Sequence, residues 1–161
     1  MKLPLLLTLA VLAPNAHALD AACEPYLKAA EKGTQQPARH SVSDFGEDNR
    51  IEGIVVDDVL YANMGGQWRK VKKNFWADER GVHAEIRSGK IKMYDCKKVG
   101  RETVDGIATT VYSYRMDLPG VPPDKGEPAK AYVGDDGLVY AQQGGGAKIR
   151  YRYTGVTVPK L

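Results

Sequence analysis

Apolar and polar residues alternate along most of the chain after residue 38, and glycine-containing pairs separate the alternating runs. The clearest runs lie between residues 96 and 159. Their turns are Asp105-Gly106, Asp135-Asp136-Gly137 and Gly144-Gly145-Gly146. Period-two alternation interrupted by such turns predicts antiparallel hairpins with one buried face and one face in water.

Further strands are predicted upstream of this region. They cover residues 39–45, 51–56, 59–62, 67–71 and 91–99. The alternation is weak in 39–45, which favours an edge strand there. Gly65-Gly66 is typical of the turn of another hairpin.

Two segments have helical patterns. Residues 20–33 begin with a potential cap at Asp20, carry Pro25 in the first turn and end at Gly33. Residues from about 77 to 88 form the second segment. Trp76, just before it, shares one helical face with Val82 and Ile86. Gly81 lies inside this segment and costs about 1 kcal/mol relative to alanine.

These elements predict one α+β domain, a curved antiparallel sheet of about eight strands with one or two helices packed on it. Residues 118–128 contain four prolines and two glycines without periodicity, which indicates an exposed, mobile loop between two strands. No repeat and no shift of composition marks a second domain.

The first eighteen residues have the pattern of a secretory signal peptide. Lys2 supplies the positive charge, residues 3–12 the apolar stretch, and Ala16-His17-Ala18 the cleavage site. The apolar stretch is too short to span a bilayer, and no later segment is long enough. We therefore expect the mature domain to comprise residues 19–161 and to be periplasmic or secreted. The net charge of +3 falls by one when Lys2 is removed, and such a near-neutral balance argues against a dedicated polyanion-binding protein.

The chain has two cysteines, Cys23 and Cys96. In an oxidising compartment a single pair predicts a disulfide bond, which would stabilise the protein by roughly 4 kcal/mol in the chain-entropy model. Lipidation of Cys23 and two free thiols are the alternatives. Asp20 disfavours lipidation because a lipobox has an apolar residue at that position.

Tyrosines at period two are the strongest candidate feature. Tyr112 and Tyr114 share one face of a strand, and Tyr151 and Tyr153 share one face of the last strand, with Leu138 and Tyr140 in the same half. Lys148, Arg150 and Arg152 occupy the opposite face of the last strand. The six apolar residues can fill a core or can line a groove for an amphiphile. The predicted ligand-binding residues are Tyr112, Tyr114, Leu138, Tyr140, Tyr151 and Tyr153.

Catalytic and metal-binding patterns are absent from the sequence. His40 and His83 lack the partners of a catalytic triad or a zinc site, and the Asp57-Asp58 and Asp135-Asp136 pairs suit turns. The Gly144–146 run is not followed by the Gly-Lys-Ser/Thr of a phosphate-binding loop. We expect no catalytic residue, no metal and no cofactor.

Cations and aromatic residues cluster between Trp68 and Trp76: the cations are Arg69, Lys70, Lys72 and Lys73, and the aromatic residues are Trp68, Phe75 and Trp76. Such a cluster suits single-stranded nucleic acid, but export makes anionic lipid head groups the accessible partner. The alternative is that the lysines protect a strand edge from pairing with other chains.

Several of these residues together resemble a known family. They are Cys96-x-x-x-Gly100-x-Glu102-x-Val104-x-Gly106, Tyr112-x-Tyr114, Tyr132-Val133, Gly137-Leu138, Tyr151-x-Tyr153 and Pro159. The pattern covers roughly the last 65 residues and resembles small proteobacterial periplasmic proteins that look like the LolA/LolB lipoprotein-carrier superfamily. The resemblance implies an incomplete barrel whose concave side is plugged by helices, and acyl-chain binding in several members.

The sequence and the resemblance together predict a non-enzymatic exported protein. It would bind an apolar or amphiphilic ligand or a lipoprotein in the groove of the curved sheet. The alternative is an envelope interaction protein or surface antigen without a small-molecule ligand, whose partner is another envelope protein.

Overall fold

The computed structural model describes residues 19–46, 49–120 and 126–161. The predicted signal peptide and part of the proline-rich loop lie outside the described residues. In the described part the chain folds as a single open sheet of nine antiparallel strands with two α-helices, which confirms the α+β prediction.

The first helix begins where the sequence predicts. Asp20 accepts a hydrogen bond from the backbone N–H of Ala22 and caps a short 3-10 helix, Ala21–Cys23. Helix α1, Glu24–Gly33, follows directly and has Pro25 in its first turn, where the missing N–H costs nothing. Leu27 is fully buried on its inner face.

A disulfide bond joins Cys23 to Cys96 and confirms the predicted pairing. Cys96 lies on strand β5, and the 3-10 helix packs against that strand. The bond therefore fixes the N-terminal end of α1 to the sheet.

The strands follow the predicted hairpins. They are β1 Ala38–Asp44, β2 Arg50–Val56, β3 Val59–Met64, β4 Gln67–Lys73, β5 Lys92–Val104, β6 Ile107–Asp117, β7 Ala129–Gly134, β8 Val139–Gly144 and β9 Ala147–Arg152. Asp57 and Asp58, with φ of 49° and 64°, form the turn between β2 and β3, as a two-residue hairpin requires. The aspartate pairs belong to turns, as predicted.

Strand β1 is not an edge strand, so that prediction is wrong. The order across the sheet is β4-β3-β2-β1-β9-β8-β7-β6-β5, in which β1 pairs with β2 on one side and β9 on the other. The edges are β4 and β5. His40 consequently lies inside the sheet, where its Nε2 is 3.1 Å from Glu52 Oε2.

Helix α2, Phe75–Arg87, connects the two edges of the sheet. It starts two residues before the predicted boundary and is followed by Ser88 and Gly89, as expected. A thirteen-residue α-helix is about 20 Å long, which is long enough to cross several strands. Trp76 and Ile86 are buried, whereas Val82 is 44% exposed and does not share their burial.

Both helices pack together on one side of the sheet. Arg87 of α2 donates to Glu31 at 2.6 Å and to Glu24 at 3.1 Å, both on α1. These hydrogen bonds hold the pKa of both carboxyls below their ordinary range. The main core lies beneath the helices and includes Leu27, Ile86, Met93 and Tyr114.

A smaller apolar cluster occupies the opposite side of the sheet. Val111, Tyr132 and Ala141 pack there, with Val104 against them. Tyr132 thus lies on the opposite side of the sheet from Tyr114, although both belong to the same half of the protein.

Candidate functional site

The predicted tyrosine face is partly covered by helix α1. Tyr114 is 8% exposed, and its ring stacks on the Tyr26 ring with the centroids 4.5 Å apart. Tyr112 and Tyr151 are half-buried against the same core. The helix therefore fills the middle of the face that the sequence predicts as a groove.

Hydrogen bonds connect the tyrosines beneath the helices. The Tyr26 hydroxyl donates to the Tyr114 hydroxyl at 3.3 Å and accepts from Gln142 Nε2 at 2.5 Å. The Tyr151 hydroxyl donates to Gln142 Oε1 at 2.6 Å. Burial raises the pKa of Tyr26, Tyr114 and Tyr151 above the ordinary value, so all three hydroxyls stay protonated at neutral pH.

Gln142 belongs to this hydrogen-bond network, although the sequence pattern does not identify it as a candidate site residue. Its side chain lies on the helix side because a bulge in β8 changes the alternation: Tyr132 pairs with Ala141, and Val133 pairs with Val139. Tyr140 is the extra residue at this bulge. A hydrophobicity pattern gives no signal for such a shift.

An open cavity of about 250 Å³ lies next to Tyr114, and we refer to it as the Tyr114 cavity. All of its lining residues come from strands β5 to β9 and from the segment before β7. They are Tyr94, Tyr114, Arg115, Met116, Glu127, Pro128, Ala129, Gln142, Gln143, Gly144, Ala147 and Ile149. The cavity thus lies over a part of the sheet that the helices leave uncovered. Most of its lining residues are apolar or aromatic.

A second cavity, of about 200 Å³, lies between the two helices and the sheet, and we refer to it as the Arg39 cavity. It is lined by Tyr26, Ala30, Gly33, Arg39, Glu79, Val82, His83, Val139, Gln142, Tyr151 and Tyr153. Strand β1 supplies Arg39, and α2 supplies Glu79 and His83. Gln142 lines both cavities.

Arg39 is a largely buried cation, with 12% of its side chain exposed. Its two terminal nitrogens donate to the two Glu79 oxygens at 3.0 and 2.5 Å. Its guanidinium carbon lies 4.7 Å from the Trp76 ring centre and 5.1 Å from that of Tyr151. The bidentate ion pair with Glu79 and the two neighbouring aromatic rings hold the guanidinium in one orientation.

The six predicted ligand-binding residues are divided between these places. Tyr114 lines the Tyr114 cavity, and Tyr151 and Tyr153 line the Arg39 cavity. Tyr112, Leu138 and Tyr140 line neither cavity. Burial and a hydrogen bond to Asp136 raise the pKa of Tyr140 to about 12, and its ring contacts that of Tyr153 edge-on.

The basic and aromatic cluster lies along the edge strand β4 and the start of α2. Its cations are exposed, and Lys72 pairs with Asp78. Cationic side chains on an edge strand agree with the protective role.

His83 is half-buried in the Arg39 cavity, and burial lowers its pKa below the ordinary 6.5. The folded protein therefore binds fewer protons than the unfolded chain just below pH 6.5. The free energy of unfolding consequently decreases there as the pH is lowered. We expect the urea midpoint of the wild type to decrease between about pH 7.5 and about pH 5.5, and His83→Gln to reduce this decrease. Glu24 and Glu31 do not interfere, because their contribution is lost only below pH 4.5. Equal pH dependence in both proteins would contradict a neutral His83.

Neither a metal-binding cluster nor a membrane-spanning helix is found in the ranges that the structure describes. Specifically, these ranges contain no group of three or more His, Cys, Asp or Glu placed to hold a metal ion. No helix within them has the length and apolar character needed to cross a membrane.

Comparison with protein-family models gives no match, and comparison with curated proteins gives none either. Among solved structures, the chain is similar to lipoprotein LppX of Mycobacterium tuberculosis, with a TM-score of 0.53 and 16% identity over 88% of this chain and 97% of that one. LprF from Mycobacterium bovis has a TM-score of 0.49 at 14% identity, over 86% and 96% of the two chains. MucB in complex with MucA(peri) has a TM-score of 0.45 at 14% identity, over 82% of this chain and 54% of MucB. At 16% identity, the similarity to LppX concerns the fold alone.

Proposed function

We propose that the protein is an exported, non-enzymatic binding protein that takes an apolar or amphiphilic ligand in the Tyr114 cavity. The observation that carries the proposal is the apolar, open cavity that the helices leave uncovered on the sheet. Ligand sites are typically concave and mostly apolar, with a few polar groups at the rim. Glu127, Gln142 and Gln143 supply such polar groups here.

Export of residues 19–161 is part of the same proposal. The Cys23–Cys96 disulfide supports it, because such bonds form and persist in oxidising compartments. The signal peptide is tested by the intact mass of the exported protein, which should begin at Leu19. A diacylglyceryl group on Cys23 would contradict both the cleavage site and the disulfide.

Filling the Tyr114 cavity should weaken ligand binding. Ala147 is half-buried at the start of β9 and lines the cavity, so the ring of Ala147→Phe would occupy space that a ligand chain needs. Excluding two methylene groups costs about 1.6 kcal/mol, which raises the Kd roughly fifteenfold. The measurement is the fluorescence titration of dansylated undecanoic acid into the wild type and the variant.

Ala108→Phe is the matched control, because Ala108 is exposed on β6 in the Asp105-Gly106 hairpin and does not line the Tyr114 cavity. It should leave the Kd unchanged. Equal effects of the two substitutions would place the probe elsewhere. If the wild type does not bind the probe at high micromolar concentration, the ligand proposal is wrong and the interaction-protein alternative gains support.

A further inference from the structure

Two residues that line the Arg39 cavity each carry a buried nitrogen without a hydrogen-bond partner. Across the described ranges, Arg39 Nε and His83 Nδ1 are the buried side-chain atoms in this state. Both residues line the same cavity of about 200 Å³. Because buried polar groups are nearly always hydrogen-bonded, two orphan atoms beside one cavity indicate a place for a bound polar group.

The surrounding contacts prevent Arg39 from satisfying this atom by itself. Its terminal nitrogens are both occupied by Glu79, and the rings of Trp76 and Tyr151 flank the guanidinium plane. Turning the guanidinium to bring Nε to a protein acceptor would break the ion pair. His83 lies one helical turn after Glu79 on α2 and therefore faces the same side.

The charges of the cavity favour an uncharged occupant. Glu79 balances Arg39, and the neighbouring Arg87 already pairs with Glu24 and Glu31. Burial lowers the pKa of His83, so its ring is neutral at pH 7. An anion in the cavity would meet the Glu79 carboxylate without finding an uncompensated cation.

The tyrosine rings provide walls rather than further polar groups. The Tyr153 hydroxyl already donates to the backbone oxygen of Val139 at 2.8 Å, and the Tyr151 hydroxyl donates to Gln142. The two orphan nitrogens and the aromatic faces are therefore what these residues leave available for an occupant.

We propose that the Arg39 cavity is a second binding site, which takes an uncharged group with carbonyl and hydroxyl oxygens, as in a glycerol ester. A carbonyl or hydroxyl oxygen accepts from Arg39 Nε, and a hydroxyl pairs with His83 Nδ1. The group is either a small free molecule or the head of an amphiphile. Only the second case rests on the proposed function. In that case the chain of the amphiphile reaches towards the Tyr114 cavity past Gln142, which lines both cavities.

Three probes separate the head from the chain. Glycerol monoacetate has the head alone, monolaurin has the head and a chain, and laurate has the same chain with a charged head. Binding is followed by the imidazole nitrogen shifts of His83 and by displacement of dansylated undecanoic acid. Monolaurin and laurate are kept below their critical micelle concentrations. We expect monolaurin to shift the His83 signals and to bind about tenfold more tightly than laurate.

His83→Phe removes Nδ1 and fills the cavity, so it should abolish the preference for monolaurin over laurate. Ala84→Phe is the matched control, because Ala84 is the exposed neighbour on α2, and it should retain the preference. Arg39→Lys keeps a cation beside Glu79 but lacks Nε, and where it folds it should reduce the preference as well. The test of the second binding site does not depend on Arg39→Lys, because His83→Phe is sufficient by itself.

Each outcome decides the proposal. A His83 shift with both glycerol esters supports a small free ligand, and a shift with monolaurin alone supports an amphiphile head. Unchanged His83 signals with all three probes mean that water alone occupies the cavity, which overturns the proposal. If dansylated undecanoic acid binds while His83 does not respond, this inference fails and the proposed function stands. If glycerol monoacetate shifts the His83 signals while dansylated undecanoic acid does not bind, this inference stands and the proposed function fails.

Discussion

Replacing Cys23 and Cys96 together by alanine should lower the free energy of unfolding by about 4 kcal/mol. The disulfide closes a loop with a sequence separation of 73 residues, and in the chain-entropy model such a crosslink restricts the unfolded chain by about this amount. Both cysteines are also buried in the core beneath the helices. The measurement is the urea midpoint and slope of the double variant and the oxidised wild type.

The same substitution should release helix α1 before the rest of the fold opens. The bond fixes the start of this helix to β5, and without it the end near Cys23 is held mainly by Arg87 and by packing around Leu27. Amide exchange should therefore accelerate more in α1 than in β6 or β7. Wild type unfolded in the presence of a reductant is the control and should match the double variant. A double variant as stable as the oxidised wild type would show that the crosslink contributes nothing.

The hairpins could be predicted from the sequence because their information is local. Asp105-Gly106 and Gly145-Gly146 combine a turn dipeptide with alternating flanks, and Gly106, Gly145 and Gly146 have the positive φ that these turns require. Helix α1 was equally readable from Asp20, Pro25 and Gly33. Each of these signals lies within a few residues of the structure that it specifies.

The edge-strand prediction for β1 is wrong because the inward-facing residues of this strand are polar. Arg39 enters the core as an ion pair with Glu79, which is forty residues later on α2. Ser41 lies against Gly53 of β2, where a Cβ atom would approach its Oγ to 2.8 Å. A hydrophobicity pattern counts arginine and serine as surface residues, so a central strand with such residues resembles an edge strand.

The tyrosine face was predictable, but the position of the open space was not. Period two correctly placed Tyr112 with Tyr114, since both pack on the helix-side core. Which part of that face remains uncovered depends on where α1 docks, and this follows from the disulfide and from the path of α2 between the sheet edges. The bulge at Tyr140 then brings Val139 and Gln142 to the Arg39 cavity, while Leu138 and Tyr140 line neither cavity. A shift of one residue exchanges the faces of a strand, and no local pattern reveals it.

Replacing Tyr114 by alanine should lower the free energy of unfolding by about 3–5 kcal/mol, as for other buried aromatic side chains. The ring is 8% exposed and stacks on Tyr26, so its removal leaves a cavity between α1 and the sheet. The Tyr26 hydroxyl also loses a hydrogen-bond partner, although it keeps the bond from Gln142. Urea unfolding of the variant measures the loss.

Two further substitutions separate packing from hydrogen bonding. Tyr114→Phe keeps the stacked ring and should cost only about 1 kcal/mol, the typical net value of one hydrogen bond. Tyr112→Ala is the positional control two residues away, and it should cost less than Tyr114→Ala because Tyr112 is only half-buried. Equal costs for Tyr112→Ala and Tyr114→Ala would mean that the Tyr114 ring is not packed more tightly than its neighbour. The groove would then extend beneath α1, and the Tyr114→Ala variant should bind dansylated undecanoic acid less tightly than the wild type because the ring itself would contact the chain.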